Sequence, residues 1–177
     1  MQTVKMVVTG ALASGKSEFI KTISETDVVS TERKSTDEAS LLKKETTVAM
    51  DFGRIVVGND LVLHLFGTPG QKRFDFMWEM LSQGMMGMVV LVDSTRPDTF
   101  RETSRIIDFF TANQKTPYIV ACNKQDLPDA WAPEDIRHSL RLDENVKIVP
   151  CVALDPRQVR NVLLELLYSV LEFIEEG

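Results

Sequence analysis

Apolar, β-branched runs alternate along this chain with stretches of helical periodicity. "TVKMVVT" (3–9) reads as a buried strand, and a helical pattern opens at Lys16 and runs to about Ser24. "TVAMDFGRIVV" (47–57) and "LVLHLF" (61–66) flank the turn signal "GND", so they predict a hairpin. "MGMVVLVD" (86–93), "PYIVACN" (117–123) and "VKIVPCV" (146–152) predict three further strands. A helix is expected from near Pro97 to near Asn113, and another over "PEDIRHSL" (133–140), which Pro133 opens. The last stretch predicts a closing amphipathic helix with Val159, Val162, Leu163, Leu166, Leu167 and Val170 on one face. Strands that alternate with helices predict an α/β fold, a mostly parallel sheet with helices on both faces. The hairpin makes one strand antiparallel, at an edge.

The segment "ETDVVSTERKSTDEASLLKKET" (25–46) breaks this rhythm: it is polar, charged and long for a loop. It is either an unstructured insertion or a loop beside a ligand.

Composition narrows the function classes. A length of 177 residues suits one domain with one core. A net charge of −6 argues against nucleic acid or an anionic membrane as the main partner. Cys122 and Cys151 lie in apolar runs and read as core thiols of a reducing compartment. His64 and His138 fit no metal-ligand spacing. No apolar run suits a bilayer span, and the ends carry no signal peptide or lipidation motif, so a cytoplasmic protein without its own membrane anchor is expected.

Residues 10–17 read GALASGKS, which is G-x-x-x-x-G-K-[ST] between a strand and a helix. Such a loop turns its N–H groups inward around phosphates. Gly10 and Gly15 permit the tight path, and Ala11, Leu12, Ala13, Ser14 and the helix start at Glu18 complete the cradle. Lys16 supplies charge to the β- and γ-phosphates, and the Ser17 hydroxyl can bind magnesium. The following helix adds its positive end.

Residues 123–126 read NKQD at a strand end. The Asp126 carboxylate can accept guanine N1–H and the exocyclic N2 amine together; adenine offers neither pattern. Asn123 can bridge the base to neighbouring loops, and the Lys124 stem can cover the ring face.

With these two motifs the chain resembles a Ras-superfamily small GTPase over nearly its whole length. The resemblance implies a six-stranded sheet in the order 2-3-1-4-5-6, a single G domain over residues 1–177, and GTP, GDP and magnesium as ligands. "CVALD" (151–155) stands where the family carries its third base loop, so Val152, Ala153 and Leu154 are implied there, with the Ala153 N–H meeting guanine O6. "TVAMDF" (47–52) resembles the first switch segment and implies Thr47 as a magnesium ligand, with Thr46 the second choice. Switch I then covers 27–47 and switch II covers 67–83.

"GTPGQ" (67–71) aligns with the family's D-T-A-G-Q. Gly70 would donate its N–H to the γ-phosphate, and Gln71 would orient the attacking water. Gly67 replaces the acid, and this with "TPGQ" and "KRFDFMW" resembles the prokaryotic MglA-like (Rup-type) branch. Asp93 and Asp51 are candidates to hold a magnesium-bound water in its place, with weaker magnesium binding than an acid at 67 would give. Leu12 and Pro69 point to slow intrinsic hydrolysis, at or below the order of 10⁻⁴ s⁻¹. Arg73 and Arg54 are candidate internal arginine fingers.

Met85, Met86, Met88 and "FDFMW" (74–78) suggest an adaptable surface beside switch II, with Met88 in the core and Phe74 and Trp78 partly exposed for a partner. The resemblance implies regulators and effectors, possible roadblock-type proteins among them. A non-hydrolysing GTP-binding scaffold is the alternative. A P-loop kinase or ATPase is disfavoured by NKQD.

Overall fold

In order along the chain, the strands and helices are β1 (Gln2–Gly10), α1 (Lys16–Ile23), β2 (Val29–Ser30), β3 (Asp51–Val57), β4 (Leu61–Gly67), α2 (Phe76–Ser82) and β5 (Gly87–Asp93). A 3₁₀ turn (Pro97–Thr99), α3 (Phe100–Ala112), β6 (Tyr118–Asn123), α4 (Pro133–Leu140), β7 (Lys147–Pro150) and α5 (Pro156–Glu176) follow. The structure is a computed structural model and describes residues 1–25, 29–30, 51–69, 76–112 and 114–177. The expectations for Thr46, Thr47, Gly70, Gln71, Arg73 and Phe74 fall outside the described residues.

The strands form one sheet, β2-β3-β4-β1-β5-β6-β7. The six expected strands occur in the expected order, with β3 antiparallel to β4 and the others parallel. Two residues, Val29 and Ser30, add a seventh strand outside β3. A pair so short produces no periodic pattern, so the sequence carried no signal for it.

Strand parity divides the core. Met6, Val8, Leu63, Leu65, Val89 and Leu91 pack under α1 and α5. Val7, Met88, Val90, Val92, Val120 and Cys122 turn the other way, under α2, α3 and α4. On α5 the expected face is buried at Val159, Val162, Leu163, Leu166 and Val170, with Leu167 partly buried beside them. Both cysteines are buried and free, and burial pushes each thiol up to about 12.

One expectation is corrected. Trp78 is 1% exposed, not offered to a partner. Its ring meets Phe109 and Phe110, and its indole N–H donates to the Pro69 carbonyl at 3.2 Å. The helical period decides this. Trp78 and Leu81 turn inward, while Phe76 and Met80, four positions apart, are 66% and 54% exposed. Met88 is in the core as expected, and Met85 is also buried.

The parallel register brings the ends of β1, β4, β5 and β6 to one edge. Val8 pairs with Gly67, Gly10 with Leu91, and Asp93 with Asn123. Open α/β sheets bind ligands at this carboxyl edge.

Candidate nucleotide site

The loop after β1 is held by its glycines. Gly10 has φ +150° and Gly15 has φ +107°, values that side chains rarely tolerate. A Cβ on Gly10 would stand 2.4 Å from the Leu91 carbonyl oxygen. Within the loop, the Ser14 N–H donates to the Ala11 carbonyl at 3.1 Å, and Ala13 is left-handed at φ 63°. Leu12 is 57% exposed at the loop's crest.

Lys16 is buried at the floor of this loop. Its Nζ donates to the carbonyls of Gly10 at 2.8 Å and Ala11 at 2.9 Å. Desolvation lowers the ammonium to about 8, against the opposing pull of Glu102 and Asp51. The Ser14 hydroxyl is buried and has no hydrogen-bond partner among the described residues. Gly15 caps α1 without a side-chain hydrogen bond, so the first turn keeps N–H groups for an anion. Among the described residues, a buried cation, a hydroxyl without a hydrogen-bond partner and an uncapped helix start fit a phosphate.

The NKQD segment joins that loop from the other side. The Asn123 amide donates to the Ser14 carbonyl at 3.0 Å, and its Oδ1 accepts the Ala153 N–H at 2.8 Å. Oδ1 also accepts the Lys124 N–H at 2.8 Å. One side chain therefore ties the phosphate loop, β6 and the loop before α5. The Thr22 hydroxyl, on α1, adds a bond to the Ala153 carbonyl at 2.6 Å. The Ala153 N–H that the resemblance gives to a base oxygen is thus engaged by Asn123 here. Val152 is half-buried, and Leu154 is 70% exposed.

Lys124 is left-handed, at φ 65°, and its Nζ pairs with Asp93 Oδ2 at 2.7 Å. Burial works against the Asp93 charge, yet the bonds from Lys124 and Thr95 outweigh it and hold the carboxyl below its ordinary value. Gln125 points away from the loop cluster, bonding Ser94 Oγ and the Trp131 carbonyl at 2.8 Å each. Asp126 is exposed, and its carboxylate bonds to no other described residue.

The Ser17 hydroxyl donates to the Asp51 carboxylate at the start of β3. Among the described residues no cluster of three or more His, Cys, Asp or Glu could hold a metal ion. A hydroxyl beside one carboxylate fits magnesium shared with phosphate oxygens, a cation that keeps several of its waters. Arg54, on β3, lies in register with His64 of β4, and its backbone N–H bonds Ser24.

The sequence missed the Lys124–Asp93 pair and the Thr22 tie. The first had a signal: Asp93 closes one apolar run and Lys124 follows directly on the end of the next. The second had none, because Thr22 reads as an ordinary helix residue.

A family described as "Conserved hypothetical ATP binding protein" matches residues 22–174, a span that begins after the phosphate loop. The chain is 28% identical to the Ras-related protein Rab-32C of Dictyostelium discoideum, over 96% of this chain and 74% of that one. It is 32% identical to the mutual gliding-motility protein MglA of Myxococcus xanthus, over 44% of this chain and 43% of that one. For several curated relatives the aligned stretch spans about half of their length or less. Among solved structures, the Arl6 BBS3 small GTPase from Trypanosoma brucei, with bound nucleotide analogue GppNp, superposes with a TM-score of 0.76 at 17% identity. That likeness covers 97% of this chain and 99% of the other, and the fold is that of a small GTPase.

Proposed function

This chain belongs to the family described as "Conserved hypothetical ATP binding protein", and from that premise and its small-GTPase fold we propose a GTP-dependent molecular switch. Residues 1–177 act as one G domain of the MglA-like branch, with slow intrinsic GTPase activity.

The observation that carries this reading is the Asn123 side chain. It fastens the loop for phosphates to the loops for a base, at 3.0 Å and 2.8 Å. Two motifs far apart in sequence thereby border one site.

Asp126 favours guanine over the ATP of the family description. Its carboxylate, which bonds to no other described residue, offers two acceptors to N1–H and the N2 amine, and adenine would leave it unpaired. The Ala153 N–H reaches guanine O6 as a bond shared with Asn123 Oδ1. Lys16 exchanges the carbonyls of Gly10 and Ala11 for phosphate oxygens. Ser17 and Thr47 would hold magnesium, which when bound neutralises charge on the phosphate oxygens. Gln71 orients the attacking water, and Gly70 donates to the γ-phosphate.

Protein regulators and effectors, roadblock-type proteins included, meet switch I (27–47) and switch II (67–83). Phe76 and Met80 give the second region exposed apolar contact. No described helix is long and apolar enough to cross a membrane.

Two measurements test the reading. GTP and ATP compete for protein loaded with a fluorescent GDP analogue; displacement by ATP at equal concentration overturns the base assignment. Single-turnover hydrolysis of bound GTP is then followed with magnesium and with EDTA. Slow, magnesium-dependent phosphate release is expected. Intact GTP after many hours would favour the non-hydrolysing scaffold.

A further inference from the structure

We infer that Asp51 supplies the carboxylate that Gly67 lacks, acting as the positioning residue of the magnesium site; this rests on the guanine-nucleotide reading above. Gly67 brings no side chain to this edge. This residue closes β4 beside Val8 of β1, at the edge where the phosphate loop begins. A Cβ built on it would stand 3.0 Å from Ile20 Cδ1 and 3.6 Å from Asp51 Cβ. The space for a side chain at 67 is therefore walled by an isoleucine of α1 and already bordered by an acid.

Strand parity puts that acid there. Phe52 pairs with Phe66 across the antiparallel ladder, so Asp51 lies across from Gly67. Side chains alternate along β3, so Asp51 shares a face with Gly53 and Ile55. Ile55 packs in the core layer beneath α1. Gly53 lets the helix approach closely: a Cβ on it would stand 2.6 Å from Ile20 Cγ2 and 3.2 Å from Ser24 Cβ. With α1 drawn onto β3, the Ser17 hydroxyl at its start reaches the Asp51 carboxylate.

Of the other acids near this edge, Glu102 on α3 acts on the Lys16 charge, and Asp93 is engaged elsewhere. Asp93 accepts from Lys124 at 2.7 Å through one oxygen and from the Thr95 hydroxyl at 2.6 Å through the other. It belongs to the base side.

A carboxylate that takes the Ser17 proton in a hydrogen bond orients the hydroxyl. The oxygen lone pair is then turned toward a cation. The second carboxylate oxygen remains to accept from a cation-bound water. An acid on β3 does for this chain what an acid at 67 would do, so Gly67→Asp brings no gain in magnesium affinity, contrary to the weaker binding expected from the sequence alone.

The test follows release of a fluorescent GDP analogue against free magnesium, in wild type and Asp51→Asn. The amide still accepts from Ser17 but carries no charge. Wild-type release slows as magnesium rises. In Asp51→Asn the magnesium midpoint rises by roughly 10–100-fold, as for other groups that orient metal ligands, while release in EDTA is unchanged. Asp51→Ser does the same if the amide disturbs β3. An unchanged midpoint in both variants, with nucleotide still bound, overturns the inference and leaves the guanine reading intact. Failure of wild type to bind the analogue with or without magnesium overturns both.

Discussion

Gly15 lies against Asn123 so closely that a Cβ at 15 would stand 2.2 Å from the Asn123 amide nitrogen. The loop over residues 10–17 and the segment 123–126 are thus closely fitted to each other. Gly15→Ala adds a methyl at φ +107° and pushes Asn123 off the Ser14 carbonyl. The backbone strain alone is on the order of 1–3 kcal/mol. Guanine-nucleotide affinity should fall by more than tenfold, measured by titration with a fluorescent GDP analogue. Thermal melting of the unliganded variant separates the loss of fold from the loss of site.

The two faces of α2 should behave in opposite ways. Trp78 is buried among Phe109 and Phe110, so Trp78→Ala opens a cavity and should cost about 3–5 kcal/mol. Met80 is 54% exposed, so Met80→Glu should stay within about 0.5 kcal/mol of wild type. Urea denaturation of both variants checks the pair. A large loss in Met80→Glu would mean that the exposed face also holds the fold.

These contrasts show where the sequence was legible. The central strands such as β5 and β6 announced themselves because both faces are buried, which leaves long apolar runs such as "MGMVVLVD". The path of the loop after β1 was legible because Gly10 and Gly15 answer to a local backbone requirement. Trp78 was misjudged because an aromatic beside a switch motif says nothing of which way the helix turns; only the meeting of α2 with α3 decides that. The Ser17–Asp51 bond was less legible still. It depends on the hairpin register and on the two glycines, Gly53 and Gly67, that let α1 settle on β3 and β4.

Acid should reveal the Lys124–Asp93 pair. The folded protein holds the Asp93 carboxyl below its ordinary 3.8, because the bonds from Lys124 and Thr95 outweigh the burial that opposes its charge. A depressed carboxyl contributes stability above its unfolded value and loses it as pH falls through the folded one. Lys124→Ala should therefore be less stable than wild type near neutral pH, by about 1 kcal/mol for a partly exposed pair. The gap should narrow as pH falls below 3.8 and close once Asp93 is protonated in the folded state too. Denaturant midpoints across that range check the sign; a gap that widens in acid contradicts it.

Asp126 carries the last prediction, on base choice. Its carboxylate presents two acceptors and bonds to no other described residue. Guanine opposes it with two donors, N1–H and the N2 amine. Asp126→Asn keeps one acceptor and replaces the other with an N–H, which then faces the guanine amine donor to donor. Each unpaired group costs about 1–3 kcal/mol, so affinity for GDP should drop by roughly 100-fold. Xanthine carries a carbonyl where guanine has the amine, and its N1–H and O2 match the new amide. The variant should therefore prefer xanthosine diphosphate, and wild type should reject it, because two acceptors would meet. Competition of both nucleotides against a fluorescent GDP analogue in wild type, and against a xanthosine analogue in the variant, reads out the exchange. A variant that loses GDP without gaining the xanthine nucleotide would show that Asp126 supports the loop and does not touch the base.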